Sequence, residues 1–107
     1  MKIVLLKEAQ QFMENAPMKA RVKIYYNLRL VQSGVKDIRL FKKLEGSEIW
    51  EFRTDYGSNA YRLFSFWDKR ADTLVVATHG IVKKAQKTPM KEIAKAERIR
   101  TEYFKNR

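Results

Sequence analysis

Three short runs of β-forming residues, separated by connections too brief to hold a helix, most constrain the fold of this chain. They lie at 49–53, 61–67 and 73–78, and each alternates between the two sides of a strand or is rich in β-branched and aromatic residues. The first connection spans 55–59, from Asp55 to Asn59, and contains Gly57; the second spans 68–72. Because connections of this length join antiparallel neighbours, the pattern predicts a three-stranded meander.

The sequence before the meander predicts a strand followed by a helical hairpin. Residues 2–6 form a short apolar run whose length favours a strand. Apolar residues then recur at three- and four-residue spacing over 7–15 and again over 18–33, which is typical of amphipathic helices. Pro17 separates the two segments, because proline suits the first turn of a helix and not its interior.

A third helix is predicted at the C-terminus, with Thr88 as its cap, Pro89 at its first position and an apolar stripe to about Phe104. The chain therefore predicts an α+β fold in the order β-α-α-β-β-β-α, with the helices against one face of a small antiparallel sheet. We expect residues 1–107 to form a single domain. The aromatic residues expected in its core are Tyr25, Tyr26, Trp50, Phe52 and Trp67.

Composition excludes several classes of protein. The chain has no cysteine and one histidine, His79, which excludes a disulfide framework, a thiolate metal site and a multi-histidine zinc site. It has no apolar run long enough for a membrane span, and its start lacks the features of a signal peptide. We therefore expect a cytoplasmic protein with no metal, no cofactor and no membrane partner.

The charge is strongly unbalanced. Twenty-three Lys and Arg against twelve Asp and Glu give a formal net charge of +11. Such a surplus indicates a polyanionic partner, and RNA, DNA, an anionic membrane surface and an acidic protein all fit it. The densest basic segment is 83–87, expected in a basic loop over 81–88 between the last strand and the last helix.

The predicted meander places further charged residues near this loop. Glu51 and Arg53 share one face of the first strand, because side chains repeat every two residues. Arg62, among aromatic residues on the next strand, either pairs with Glu51 or reaches the edge of the sheet. His79 is expected to end the third strand. One concave surface is therefore predicted from Arg53, Arg62, His79, Lys83, Lys84 and Lys87.

Three stretches together resemble a known family. They are 44–53 (LEGSEIWEFR), 61–64 (YRLF) and 79–89 (HGIVKKAQKTP). The chain resembles the RelE/ParE superfamily of toxins from type II toxin–antitoxin systems, and within it the HigB-like, phage-derived branch. The resemblance implies a RelE-like fold, cleavage of mRNA, often on the ribosome, and a cognate antitoxin, which for this branch is a helix-turn-helix protein.

The resemblance also suggests which residues act. An arginine that follows a tyrosine on a strand matches Arg62, and a basic residue after the last strand matches Lys83 or Lys84. Arg53 matches a recurrent strand arginine. In place of the lysines that some relatives carry on the first meander strand, this chain has Ile49 and Glu51.

These residues suggest an endoribonuclease in which the 2′-OH attacks the adjacent phosphorus. Arg62 would stabilise charge on the phosphate, and Lys83 or Lys84, crowded by other cations, would act as the base. Glu51 is an alternative base and His79 an alternative acid. The residues expected to hold the phosphates of the RNA are Arg53, Lys87, Lys91, Lys95 and Arg98.

Two other functions remain open from the sequence. The ParE branch shares the fold and the positive charge but poisons DNA gyrase without cleaving RNA. A non-catalytic RNA-binding module is the third possibility, although the chain shows neither an RNA-recognition motif nor a base-reading recognition helix.

Overall fold

Five strands and three helices follow one another in the computed structural model, which describes residues 1–70, 74–84 and 87–106. Thr73, at the start of the third predicted strand, and Ala85 and Gln86 in the predicted basic loop lie outside the described residues. In chain order the elements are β1 (Lys2–Leu5), α1 (Lys7–Asn15), α2 (Met18–Gln32), β2 (Phe41–Lys43), β3 (Trp50–Tyr56), β4 (Asn59–Asp68), β5 (Leu74–Lys83) and α3 (Met90–Lys105).

The α+β class is confirmed, with a larger sheet than the sequence predicts. β3, β4 and β5 form the predicted antiparallel meander, and the strand order across the sheet is β1-β5-β4-β3-β2. β2 is an additional strand, antiparallel to β3, and its sequence of one Phe and two Lys is too short to show a period. β1 runs parallel to β5, so the sheet is mixed and mostly antiparallel.

The helices cover both faces of the sheet, and the prediction that they share one face is wrong. α1 and α2 pack on the face that presents Phe52 and Leu63, and α3 packs on the face that presents Phe64 and Phe66. β4 is buried along nearly all of its length. A central strand that is apolar on both sides requires a cover on each, as in sheets buried between helical layers.

Two aromatic residues predicted in the core lie instead at the surface. Tyr25 is 42% exposed and Tyr26 is 60% exposed, beside the exposed Met18 and Val22. These four residues form the α2 outer face. α2 carries apolar residues around most of its circumference, so periodicity alone could not show which stripe faces the sheet.

A β-bulge in β5 determines which residues face α3. The pairing with β4 joins Ser65 to Ala77 and Phe64 to His79, so Thr78 is an additional residue. Before the bulge, even-numbered residues of β5 face α3; after it, odd-numbered residues do. This change of face turns His79 toward α3 and away from α1.

β5 also extends beyond the predicted strand end at His79. It continues to Lys83, which pairs with Ala60 near the start of β4. Ile81 and Val82, predicted in the basic loop, are therefore strand residues. Lys83 is held in a hydrogen-bonded ladder, and Lys84 follows directly after it.

Gly80, which the bulge turns toward α1, allows a close approach of the helix to the sheet. The ring of Phe12 on α1 occupies the space where a Cβ of residue 80 would lie. Phe12 also makes an edge-on contact with Tyr61, with ring centroids 6.3 Å apart. A glycine is required here by packing, since the position has no unusual backbone angle.

His79 joins β5 to α3. Its side chain is only 4% exposed, and its ring lies 4.9 Å from that of Phe64. Its Nε2 is 3.0 Å from Oε1 of Glu92 on α3, and its Nδ1 is 2.9 Å from Oγ1 of Thr78. Both ring nitrogens thus have partners within the protein.

We expect the variant Gly80→Ala to lower the free energy of unfolding by about 1–3 kcal/mol, because the added methyl group overlaps the Phe12 ring. Chemical denaturation measures the change. The double variant Gly80→Ala/Phe12→Leu serves as the control and is compared with Phe12→Leu alone. Gly80→Ala should lower the free energy of unfolding less in this background, because the Phe12 ring is absent. A single variant as stable as the wild type would contradict the packing argument.

We expect protonation of His79 to destabilise the fold. Burial lowers the pKa of His79 below its ordinary value of 6.5, although the hydrogen bond with Glu92 acts in the opposite direction. The unfolded chain therefore binds the proton more readily, so stability is fully present above pH 6.5 and is lost as the pH falls. Denaturation of wild type and His79→Gln between about pH 7.5 and 5.5 should show a smaller pH dependence in the variant. Equal pH dependence would contradict this assignment.

Candidate nucleic-acid interface

Two adjoining cavities lie on the α3 side of the sheet, near the end of β3 and the start of α3. Their volumes are about 660 and 420 Å³, and both are lined by Arg53 and Lys83. We call them together the basic groove. The basic residues that line it are Lys42, Arg53, Arg62, Lys83, Lys84 and Lys87, and the acidic ones are Glu45, Glu51 and Asp55.

Glu51 is the buried carboxylate around which the basic residues of this groove lie. Its side chain is 2% exposed, and Oε1 lies 3.5 Å from Nε of Arg53 and 3.8 Å from Nε of Arg62. Oε2 accepts a hydrogen bond of 2.7 Å from the hydroxyl of Thr88, which precedes α3. One buried carboxylate therefore joins β3, β4 and the entry to α3.

The register of the sheet explains why a carboxylate is needed there. Arg53 and Arg62 are directly opposite each other on β3 and β4. Like charges in this arrangement repel, and Glu51 offsets the repulsion. Both Nε atoms are buried and have no hydrogen-bond partner among the described residues. The two guanidinium groups are thus attracted to Glu51 at distances longer than a hydrogen bond.

Arg62 has a second carboxylate partner at the mouth of the groove. Its Nη1 lies 3.0 Å from Oδ1 of Asp55 and donates to the carbonyl oxygen of Tyr61, also at 3.0 Å. The Arg62 side chain is 6% exposed, whereas that of Asp55 is 74% exposed. The second partner of Arg62 is therefore a solvent-exposed carboxylate, whereas Glu51 is buried.

Lys83 is partly desolvated. It is 8% exposed, and its Nζ donates to the Thr88 hydroxyl at 3.3 Å. Burial lowers the pKa of the Lys83 ammonium below its ordinary value of 10.5; Arg62 and Arg53 act in the same direction, and Glu51 opposes them. The ammonium therefore loses its proton more readily than that of a solvated lysine.

The structure brings together most, but not all, of the predicted site residues. Glu51, Arg53, Arg62, Lys83, Lys84 and Lys87 line the basic groove. His79 does not line it: it is packed between β5 and α3, where Glu92 and Thr78 engage its ring.

The three predicted RNA-binding residues of α3 lie on a different side of that helix. Lys95 forms an ion pair of 2.9 Å with Glu8, at the start of α1. Lys91 and Arg98 lie in the same stripe of α3 as Lys95, because residues three and four apart lie on one side of a helix, and both are exposed. The side of α3 that lines the basic groove carries Met90 and Ile93.

Sequence reasoning missed two polar contacts in the groove. Asp55 was expected in a turn, but it lies in β3 and contacts Arg62. Thr88 was expected to cap α3, but the helix has no side-chain cap, and the hydroxyl bridges Lys83 and Glu51 instead. A signal for Asp55 was available: it lies two residues beyond Arg53, on the same face of a strand.

Within residues 1–70, 74–84 and 87–106, no group of three or more His, Cys, Asp and Glu side chains is arranged to hold a metal ion. In the same part of the chain, no helix is both long and apolar enough to cross a membrane.

Comparison with known proteins identifies the family. The model of a family described as phage derived protein Gp49-like (DUF891) matches residues 11–101. No curated protein matches the chain. The matched segment runs from α1 to α3 and contains the whole basic groove. The chain therefore belongs to the Gp49-like family of phage-derived proteins, which is related to the RelE- and HigB-like toxins.

Proposed function

We propose that the protein is the toxin of a type II toxin–antitoxin system and cleaves mRNA, with the ribosome as the site of action. One observation carries the proposal: Arg53, Arg62 and Lys83, from three adjacent strands, converge around a buried carboxylate in the open basic groove. Membership of a toxin-related family supports the biological role.

The proposed reaction needs no group from outside the protein and its substrate. The 2′-OH of the RNA loses its proton to a base, and its oxygen attacks the adjacent phosphorus. The bond to the 5′-oxygen breaks, and that oxygen takes up a proton. The products are a 2′,3′-cyclic phosphate and a 5′-hydroxyl. The protein must accept one proton, supply another and stabilise the extra negative charge on the phosphate.

Arg62 is proposed to stabilise the charge that develops on the phosphate. Its guanidinium has a fixed orientation, because Tyr61 and Asp55 hold Nη1. A planar guanidinium binds two phosphate oxygens at once, and a preorganised donor stabilises a transition state without further rearrangement. Arg53, which is more exposed, lies beside it in the same cavity.

Lys83 is proposed as the base, because its partly buried ammonium has a lowered pKa. Lys84 is exposed at the same cavity and is suited to hold the RNA backbone. Glu51 is assigned a positioning role, since both of its oxygens face internal partners. Lys42 and Lys87 extend the phosphate-binding surface on the other side of Arg53.

A cognate antitoxin is the second proposed partner. The α2 outer face exposes Met18, Val22, Tyr25 and Tyr26, and α2 carries four basic residues and no acidic one. Lys23 of α2 donates a hydrogen bond to the carbonyl oxygen of Asp55 at the mouth of the basic groove, so the two surfaces adjoin. An acidic, amphipathic segment of a helix-turn-helix antitoxin matches this combination of apolar and basic surface.

We expect Arg62→Gln and Lys84→Gln to reduce mRNA cleavage and toxicity, with a loss of about 10²–10³ in cleavage rate at Arg62. Inducible expression, scored by growth and by mapping of mRNA ends, provides the measurement. Arg98→Gln is the matched control, because it removes a positive charge from the side of α3 that faces away from the groove. Thermal unfolding shows whether each variant is folded.

Two outcomes would contradict the nuclease proposal. A folded Arg62→Gln protein that cleaves mRNA as fast as the wild type would remove Arg62 from the chemistry. Intact mRNA together with blocked DNA supercoiling would indicate a gyrase inhibitor of the same fold instead.

We expect Val22→Glu/Tyr26→Ala to weaken neutralisation by the antitoxin while leaving toxicity unchanged. The change removes exposed apolar surface from α2 and places an acidic residue where an acidic partner would bind. Coexpression of each toxin variant with the cognate antitoxin measures rescue of growth. Lys105→Glu, an exposed charge reversal at the end of α3, is the control. Full rescue of the α2 variant would exclude this face from the interface.

A further inference from the structure

Thr88, the residue before Pro89 and α3, has little freedom to move its hydroxyl group. A proline disfavours helical backbone angles in the residue before it and holds that residue in an extended conformation. Threonine is also branched at Cβ, which restricts the rotation of its side chain. The local sequence therefore limits the positions that the Thr88 hydroxyl can take.

The Thr88 hydroxyl does not serve the helix that follows it. A threonine directly before a helix commonly caps it, by accepting a hydrogen bond from a free N–H group of the first turn. In the part of the chain that the structure describes, α3 has no such side-chain cap. The hydroxyl instead contacts Glu51 of β3 and Lys83 of β5. A departure of this kind from a local preference is expected where a function requires it.

The proton of the Thr88 hydroxyl is donated to Glu51. The distance from Oγ1 of Thr88 to Oε2 of Glu51 is 2.7 Å. A carboxylate can only accept hydrogen bonds, and a hydroxyl has a single proton to donate. Oγ1 can therefore only accept a hydrogen bond from Lys83, whose Nζ lies 3.3 Å away. Glu51 thus determines the direction of the hydrogen bond between Thr88 and Lys83.

This direction determines where the lone pair of a neutral Lys83 amine lies. An amine that has lost one proton keeps two N–H bonds and gains one lone pair. One N–H bond continues to point at Oγ1 of Thr88, which has no proton left to offer the lone pair. The lone pair therefore lies away from Thr88. The open space beside Lys83 is the basic groove, because Lys83 lines both of its cavities.

The other groups around Lys83 act on it by charge. Arg53 and Arg62 approach Glu51 directly, whereas Lys83 is connected to Glu51 through Thr88. Among the described residues, the Thr88 oxygen is the one hydrogen-bond partner of the Lys83 side chain. The charged groups that face Lys83 are Glu51, Arg53 and Asp55 on β3 and Arg62 on β4.

We propose that Thr88 is a positioning residue for RNA cleavage: its hydroxyl, held by Glu51, orients the Lys83 amine so that the lone pair faces the 2′-OH of an RNA in the basic groove. The inference rests on the proposed function in taking Lys83 as the base. Nζ gains the proton of the 2′-OH and becomes an ammonium, and the electron pair left on the 2′-oxygen forms the bond to phosphorus. The bond from phosphorus to the 5′-oxygen breaks, and a second protein group protonates that oxygen. Thr88 keeps its own proton throughout.

Two substitutions of Thr88 test this role. Thr88→Val keeps the shape of the side chain and removes the hydroxyl, whereas Thr88→Ser keeps the hydroxyl and removes the branch. We expect Thr88→Val to lower kcat of mRNA cleavage about 10–10²-fold with little change in KM, because the base is no longer oriented. Thr88→Ser should recover most of this loss. The matched control is Thr101→Val, which removes an exposed hydroxyl on α3 and should cleave as the wild type does.

A double variant separates positioning from a loss of structure. In the Lys83→Gln background, Thr88→Val should lower the cleavage rate no further, because the base that Thr88 orients is absent. A purely structural role would lower the rate by the same factor in both backgrounds. Thermal unfolding shows whether each variant is folded.

Titration of Lys83 by NMR tests the contact without any RNA. The Thr88 oxygen accepts a hydrogen bond from the ammonium and so stabilises the charged form. We therefore expect the pKa of Lys83 to be lower in Thr88→Val than in the wild type, and to return toward the wild-type value in Thr88→Ser. The spectrum of Lys83→Gln identifies the Lys83 signal.

Two results would overturn the inference: a folded Thr88→Val protein with the kcat and the Lys83 pKa of the wild type, or an equal loss of rate with and without Lys83. Failure of the proposed function looks different. If Arg62→Gln cleaves normally while Thr88→Val lowers the pKa of Lys83, the nuclease mechanism fails, and Thr88 loses its catalytic purpose but keeps its contact. If Arg62→Gln is inactive and Thr88→Val cleaves at the wild-type rate, the positioning role alone fails.

Discussion

The carboxylate of Glu51 is the interaction on which the site depends. Two arginines face each other across β3 and β4, and Lys83 approaches from β5. Burial of Arg62 and Lys83 without a counter-charge would cost several kcal/mol for each, and Glu51 is the buried carboxylate that offsets it, with Asp55 as a second, exposed partner of Arg62. Its second oxygen binds Thr88 and so connects the sheet to the start of α3. Removing one member of a buried ionic group typically destabilises a protein by about 3–5 kcal/mol.

The β-bulge at Thr78 determines which residues of β5 lie on the same face of the sheet as the Glu51 carboxylate. With a regular alternation through β5, Lys83 would face α1 and Gly80 would face α3. The additional residue exchanges the two faces for the rest of the strand. It brings Lys83 onto the side of Glu51, and it brings Gly80 under the ring of Phe12, where only a glycine fits. One local irregularity therefore arranges both the site and the packing of α1.

The sequence predicts much of the fold and less of the site. Strict periodicity located the three helices and the strands of the meander, since these signals depend on neighbours in the chain. The pairing of β1 with β5 depends on residues more than seventy positions apart, and β2 is only three residues long. Neither leaves a local pattern. The bulge could not be predicted either, because the residues around Thr78 carry no pattern that shows an extra, unpaired residue in the strand.

The positions of the basic residues on α3 show that a positive charge alone does not identify a functional site. Lys91, Lys95 and Arg98 are basic like the residues of the groove, yet they lie on another side of α3, where Lys91 and Arg98 are exposed and Lys95 pairs with Glu8. Lys83 differs because burial removes water from its ammonium and lowers its pKa. Arg62 differs because neighbouring oxygens fix its direction. Desolvation and fixed orientation are consequences of tertiary packing, so they separate candidate catalytic cations from solvated ones only once the sheet and the helices are assembled.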